Sequence, residues 1–361
     1  MALREKVRLP LMATALLSLL AALWAGLLRL GWPLPLASTS LPAGHGPLLV
    51  GGFLGTLIGV ERAVALGKAW AYGAAACSAL GALALLVGLP AAPLLTLGSA
   101  GLVAELVWLL RRQPGLAMAT MALGALAWLV GNALWLWGWP LFRVVPWWLG
   151  FLVLTIAGER LELSRLLALP GSARLAFAAA VGLILLGLLL SLGQAAAGVR
   201  LLGVGLLALA VWLWRYDVAR RTVRQQGLTR YIALCLLSGY AWLGLGGALA
   251  LYAGAVAAGP RYDAVLHAVF VGFVFAMIFG HALVIFPAVL GRPLPYGPHF
   301  FAPLVLLHAS LLLRLASDLG GWGAGRQWGG LGNALAIAGF LGLVGQAVRR
   351  GGRLTPARLR R

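Results

Sequence analysis

Acidic residues are scarce in this sequence. Its 361 residues include eight Asp and Glu against 28 Lys and Arg, and charged side chains make up 10% of the whole. Soluble domains carry about a quarter charged residues, so a soluble domain of this length is excluded. Lysine is nearly missing, with Lys6 and Lys68 alone, and the remaining basic residues are arginines. Cysteine is confined to Cys77 and Cys235, each isolated inside an apolar segment. That spacing excludes a CxxC redox pair, a thiolate metal cage and a disulfide framework. Alternation of polar and apolar residues is also missing, which excludes a β-barrel. No small-residue cleavage site follows the basic start MALREKVRLP, so the first apolar segment is expected to remain as a spanning helix.

Long apolar runs fill the chain instead, and 62% of its residues are hydrophobic. Runs of about 20 apolar residues match the thickness of a bilayer core. Twelve spans are predicted, over 9–30, 45–67, 69–89, 92–110, 116–138, 144–163, 173–193, 198–215, 230–252, 263–290, 300–317 and 327–348. The expected fold is an all-α polytopic membrane protein, a single integral membrane domain over 1–361 whose contact is the lipid bilayer.

The net charge of +20 sits in short loops and tails at alternate span ends. That is the positive-inside pattern and not a nucleic-acid footprint. Arg4, Lys6 and Arg8 precede the first span, so the N-terminus is expected in the cytoplasm. Alternation then puts six arginines outside, namely Arg29, Arg143, Arg200, Arg261, Arg314 and Arg326. The other 22 of the 28 basic residues fall inside, including a basic tail over 349–361. The expected location is a bacterial-type cytoplasmic membrane, with both termini cytoplasmic. The fifteen tryptophans cluster at span ends, as in Trp135, Trp137, Trp139, Trp147 and Trp148, and are expected to form an aromatic belt.

An internal echo is present. FLGTLIGVER (Phe53–Arg62) and FLVLTIAGER (Phe151–Arg160) share the frame F-L-x-x-x-I-x-x-E-R in spans two and six. Span ten keeps only the leading Phe, in FAMIFGHALV (Phe275–Val284). Three repeats of four helices, over 1–110, 111–215 and 216–348, would account for the spacing of four. Chance similarity among Leu- and Gly-rich helices is the other account.

Ionisable side chains at membrane depth cost at least ~2.5–3.5 kcal/mol each on insertion, so they mark the places where function is to be sought. Here they are His45, Glu61, Arg62, Glu105, Glu159, His267, His281 and His308. His45 opens span two and His267 lies four residues into span ten, and both spans descend from the outer side. The two imidazoles are therefore expected at matched depth in the outer leaflet. A haem with two histidine ligands needs that arrangement. Arg143, Arg261 and Arg326 are expected at the same level, where they could pair with haem propionates. Small residues follow each histidine, Gly46, Gly51 and Gly52 in one case and Ala268 and Gly272 in the other, and would admit a flat macrocycle. The plainer reading makes each imidazole an interfacial residue bonded to a loop.

His281 and His308 are also matched in depth, on spans joined by GRPLPYGPH. They are expected to face each other, either as ligands of a second metal or haem or as a hydrogen-bonded pair. Glu61 and Arg62 are neighbours on one helix and point about 100° apart, so they are not expected to pair with each other. Arg62 is expected to reach the headgroups while Glu61 faces the bundle, with Glu105 and Glu159 at similar depth. Those carboxylates serve either proton access or salt bridges between helices.

The stretch LHAVFVGFVFAMIFGHALVIFPAVLGRPLPY (Leu266–Tyr296) resembles the NnrS family of haem- and copper-containing membrane proteins linked to nitric oxide metabolism. Leu266-His267-Ala268, Gly272, Met277-Ile278 and Gly291-Arg292-Pro293-Leu294 carry the likeness, together with His45 and Gly52-Phe53. The family's PNWTG-type sequence is replaced here by GVERAVALG, and no His precedes Gly291-Arg292. The resemblance therefore implies haem without that copper site. The twelve-helix plan also resembles the main subunit of haem–copper oxidases, in which histidines on helices two and ten hold a low-spin haem. Spans six and seven carry no His, so the copper ligands of that family are missing. These resemblances imply haem b held by His45 and His267, a role in electron transfer or nitric oxide handling, and an electron donor or acceptor protein as partner. The alternative is a twelve-helix secondary transporter without cofactor, which Gly- and Pro-interrupted spans also fit.

Overall fold

The computed structural model describes residues 2–36, 40–167, 169–290 and 294–351. Its described residues are helical or lie in turns and loops, and the twelve segments expected are found. They are α1 (Ala2–Arg29), α2 (Leu41–Leu66), α3 (Tyr72–Leu86), α4 (Ala92–Arg112), α5 (Leu116–Leu136) and α6 (Leu141–Leu163), followed by α7 (Gly171–Gly193), α8 (Ala195–Tyr216), α9 (Gly227–Ala253), α10 (Pro260–Pro287), α11 (Pro298–Gly320) and α12 (Gly323–Gly351). Eleven are long and apolar enough to cross a membrane. The exception is α3, with 15 residues. At ~1.5 Å per residue it falls short of a ~30 Å hydrocarbon core. Arg292 and the tail beyond 351 lie outside the described residues.

The chain divides into two compact units, residues 1–162 and 163–361. In the first unit α1 lies along the middle of α2, and α3 packs on α2 and α4. Gly52 permits this approach, since a Cβ there would stand 2.8 Å from Ala82 of α3 and 3.0 Å from Ser18 of α1. One polar clamp ties three helices together. Asn132 of α5 donates to the Leu95 carbonyl (3.0 Å) and to Ser99 Oγ (3.2 Å) of α4. Its Oδ1 accepts from the Trp148 indole of α6 at 2.9 Å. Trp147 and Trp148 are therefore core residues and not part of an interfacial belt, while Trp137 is exposed as that belt requires. Burying an indole N–H in an apolar interior requires an acceptor, and Asn132 supplies it.

In the second unit α7, α8 and α9 pack in sequence through glycines, and α11 pairs with α12. Asn333 of α12 donates to Ser310 Oγ of α11 at 2.7 Å. The middle of α10 lies against α9, where Gly272 sits under the Trp242 ring.

Among the described residues, two helices contain long π-helical stretches. The stretches Leu48–Gly55 in α2 and Ala268–Phe275 in α10 are each eight residues of π-helix. Every residue in both is buried. Such wide turns are rare, and where they occur they often mark functional positions.

Candidate functional site

His45 begins the helical turn that leads into the first π stretch. Its Nδ1 lies 2.7 Å from the Ala22 carbonyl oxygen of α1. The ring rests on Gly26, where a Cβ would come within 3.0 Å of His45 Cε1. A carbonyl can only accept, so Nδ1 carries the proton. In the neutral ring Nε2 then holds the lone pair.

His267 closes the helical turn that leads into the second π stretch. Its Nδ1 lies 2.9 Å from the Asp263 carbonyl oxygen, one turn earlier, and 3.4 Å from Asp263 Oδ1. The tautomer is the same as at His45. The two histidines share one local device: Nδ1–H is bonded to a main-chain carbonyl, Nε2 holds the lone pair, and an eight-residue buried π stretch follows, starting three residues after His45 and immediately after His267. Metal-binding histidines are oriented in this way, with the second nitrogen anchored by a carbonyl or carboxylate.

Around His267 lies a charged network that sequence reasoning did not find. Arg314 of α11 grips Asp263 in bidentate fashion, Nε to Oδ2 at 2.8 Å and Nη2 to Oδ1 at 2.9 Å. Arg326 of α12 stands 3.4 Å from Asp263 Oδ1, and its Nε is 2.9 Å from Asp318 Oδ1. Arg314 and Asp318 are buried. The one local signal was Asp263 standing four residues before His267. The partners are 51 or more residues away in the chain, beyond the reach of helix periodicity.

The other expected site residues are placed as follows. Arg326 was expected to meet propionates, and in the structure it faces two carboxylates of the chain itself. Arg143 stacks over Trp139 at 4.8 Å, and Arg261 over Tyr252 at 5.6 Å. His281 Nδ1 is 2.8 Å from the Met277 carbonyl oxygen. His308 takes its hydrogen bond from Trp242 Nε1 of α9, at 2.9 Å, rather than from His281. An indole only donates, so Nδ1 of His308 accepts and the neutral ring bears its proton on Nε2. That tautomer presents a donor and not a metal ligand. Among the described residues no group of three or more His, Cys, Asp or Glu is gathered to hold a metal ion.

At the other end of α2, Arg62 does not reach outward. It is ion-paired with Glu159 of α6 and stands 3.5 Å from Glu61, with 12% of its side chain exposed. Pairing with Glu159 offsets the burial of the guanidinium, so the side chain turns into the bundle instead of snorkelling. The two Glu-Arg dipeptides of the internal echo therefore meet. Glu105 of α4 is fully buried close by.

A family model described as a domain of unknown function (DUF8744) matches residues 8–349. No curated protein and no solved structure matches the chain.

Proposed function

The chain belongs to the DUF8744 family, and we propose that it is a haem-binding integral membrane protein with His45 and His267 as iron ligands. The observation that carries this reading is the repeated device at the two histidines. Each imidazole is held by Nδ1–H on a main-chain carbonyl, in the tautomer with its lone pair on Nε2, and each precedes a buried π stretch. A carbonyl anchor on Nδ1 is a usual support for a ligating imidazole, and each histidine has one, which supports the reading. At His267 the Asp263 carboxylate adds to that support, held in place by Arg314. Bound haem supplies one-electron redox chemistry.

The chain's own groups set the rest. With His45 and His267 both holding the iron, bound haem would supply electron transfer rather than gas binding. Arg143 and Arg261 are the arginines that would meet propionates, because Arg326 is engaged with Asp318 and Asp263. The reading puts the haem near the outer face of a bacterial-type cytoplasmic membrane, with both termini cytoplasmic and an electron donor or acceptor protein as partner. No copper site belongs to it. The visible spectrum of the detergent-purified protein tests this reading. A Soret band with sharp bands on reduction supports it, and a colourless protein from haem-sufficient cells counts against it.

A further inference from the structure

The end of the first unit opposite His45 holds a carboxyl group that the haem reading does not use. His45 and Arg62 lie at the two ends of α2, separated by about 25 Å at the helical rise. Glu105 of α4 lies toward the Arg62 end, wholly buried. Neither carboxyl oxygen has a hydrogen-bond partner among the described residues. Of the helices packed against α4, α3 brings no charged residue and its titratable groups are Tyr72 and Cys77, while α5 brings none of either kind. The charged groups at this end include Arg62 and Glu61 of α2, Lys68 just beyond it, Glu159, Arg160 and Glu162 of α6, Arg111 and Arg112 at the end of α4 itself, and Arg8 of α1, which donates to Tyr72 of α3 at 2.8 Å.

Charge matching decides what Glu105 can be. Arg62 is paired with Glu159 and also faces Glu61, so its single positive charge is already opposed by two carboxylates. A third carboxylate without a donor would be an uncompensated ion in an apolar interior, which is the costliest arrangement available. Two turns along α4, Gly98 makes room for Ser78 Oγ of α3, and that hydroxyl is likewise buried without a partner. Thr56 of α2 adds a third such group. Polar groups thus continue from Glu105 into the bundle.

We propose that Glu105 is a proton-binding site in the membrane interior: its carboxylate takes one proton to become a neutral acid and returns it to water at the Arg62 end of the bundle. The site is independent of haem and stands or falls separately from it.

Infrared difference spectroscopy of the full-length protein in lipid vesicles tests this. At neutral pH the wild type should show the C=O stretch of a protonated carboxylic acid, shifted down in D2O. Glu105→Gln should lose that band and keep its melting temperature, because the amide mimics the neutral acid in shape. Where Glu105→Gln does not fold, Glu105→Asp should move the band in frequency. Lack of the band in the wild type, or its persistence unchanged in the variants, would overturn the proposal. Loss of the band when sodium chloride replaces choline chloride would overturn it too, because the site would then hold a metal cation. The readout does not need haem, so a haem-free preparation serves equally.

Discussion

His45 Nδ1 and the Ala22 carbonyl oxygen are 2.7 Å apart, and Gly26, one turn further along α1, lies under the same imidazole. The lack of a side chain at Gly26 is what lets the ring reach the main chain of its neighbour. Gly26→Val is expected to push the ring off Ala22 at a cost of about 1–3 kcal/mol. That corresponds to roughly 5- to 140-fold weaker haem retention. Gly26→Ala would put its Cβ 3.0 Å from Cε1 and 3.1 Å from Nδ1 of His45, a tight contact, and is expected to act in the same direction with a smaller effect. The haem-to-protein absorbance ratio after gel filtration checks both, and full retention by Gly26→Val would mean that the Ala22 contact does not position the ring.

Asn132 supports the same region from below, because Trp148, which it holds, packs beside Gly46. Asn132→Leu leaves the buried Trp148 indole without an acceptor. The expected cost is about 1–3 kcal/mol. Thermal unfolding in detergent should show a clearly lower midpoint, and an unchanged midpoint would show that the clamp is dispensable.

Arg62 and Glu159 form a part-buried ion pair. Arg62→Leu alone strands Glu159 and should cost less than the ~3–5 kcal/mol of a fully buried pair, whereas Arg62→Leu with Glu159→Leu should recover much of the loss. A double-mutant cycle on the unfolding midpoint measures the coupling. Additive losses would contradict the pairing.

The distribution of the arginines leads to an expected topology with both termini cytoplasmic. A reporter fused after Arg361 should score cytoplasmic, and one inserted in the 254–260 loop should score external. The reverse pattern would invert each inner and outer assignment made here.

The spans were legible because continuous apolar runs need no tertiary information. The π stretches were not. Leu48–Gly55 widens where Gly51 meets Leu95, Gly52 meets Ala82 and Ser18, and Gly55 meets the Trp128 ring. Those neighbours come from four other elements, so α2's own sequence carries no signal for the change in geometry. The direction of Arg62 was misread for a related reason: snorkelling is the default for an isolated helix, and a carboxylate 97 residues away overrode it. His308 followed the same logic, because Trp242 lies 66 residues before it. The histidines themselves were visible as costly residues at helix ends. Their shared tautomer became visible only with the carbonyls in place.

The central claim is that His45 and His267 hold iron. The most direct measurement is the reduced-minus-oxidised spectrum, with haem content per protein, of His45→Ala, His267→Ala and His299→Ala beside the wild type. His299 lies in the 3-10 first turn of α11, its ring tilted against Phe300 at 5.0 Å, and serves as the control. The account predicts a low-spin b-type spectrum in the wild type and in His299→Ala, with most of the haem lost from each of the other two. Wild-type haem content in both His45→Ala and His267→Ala would contradict it.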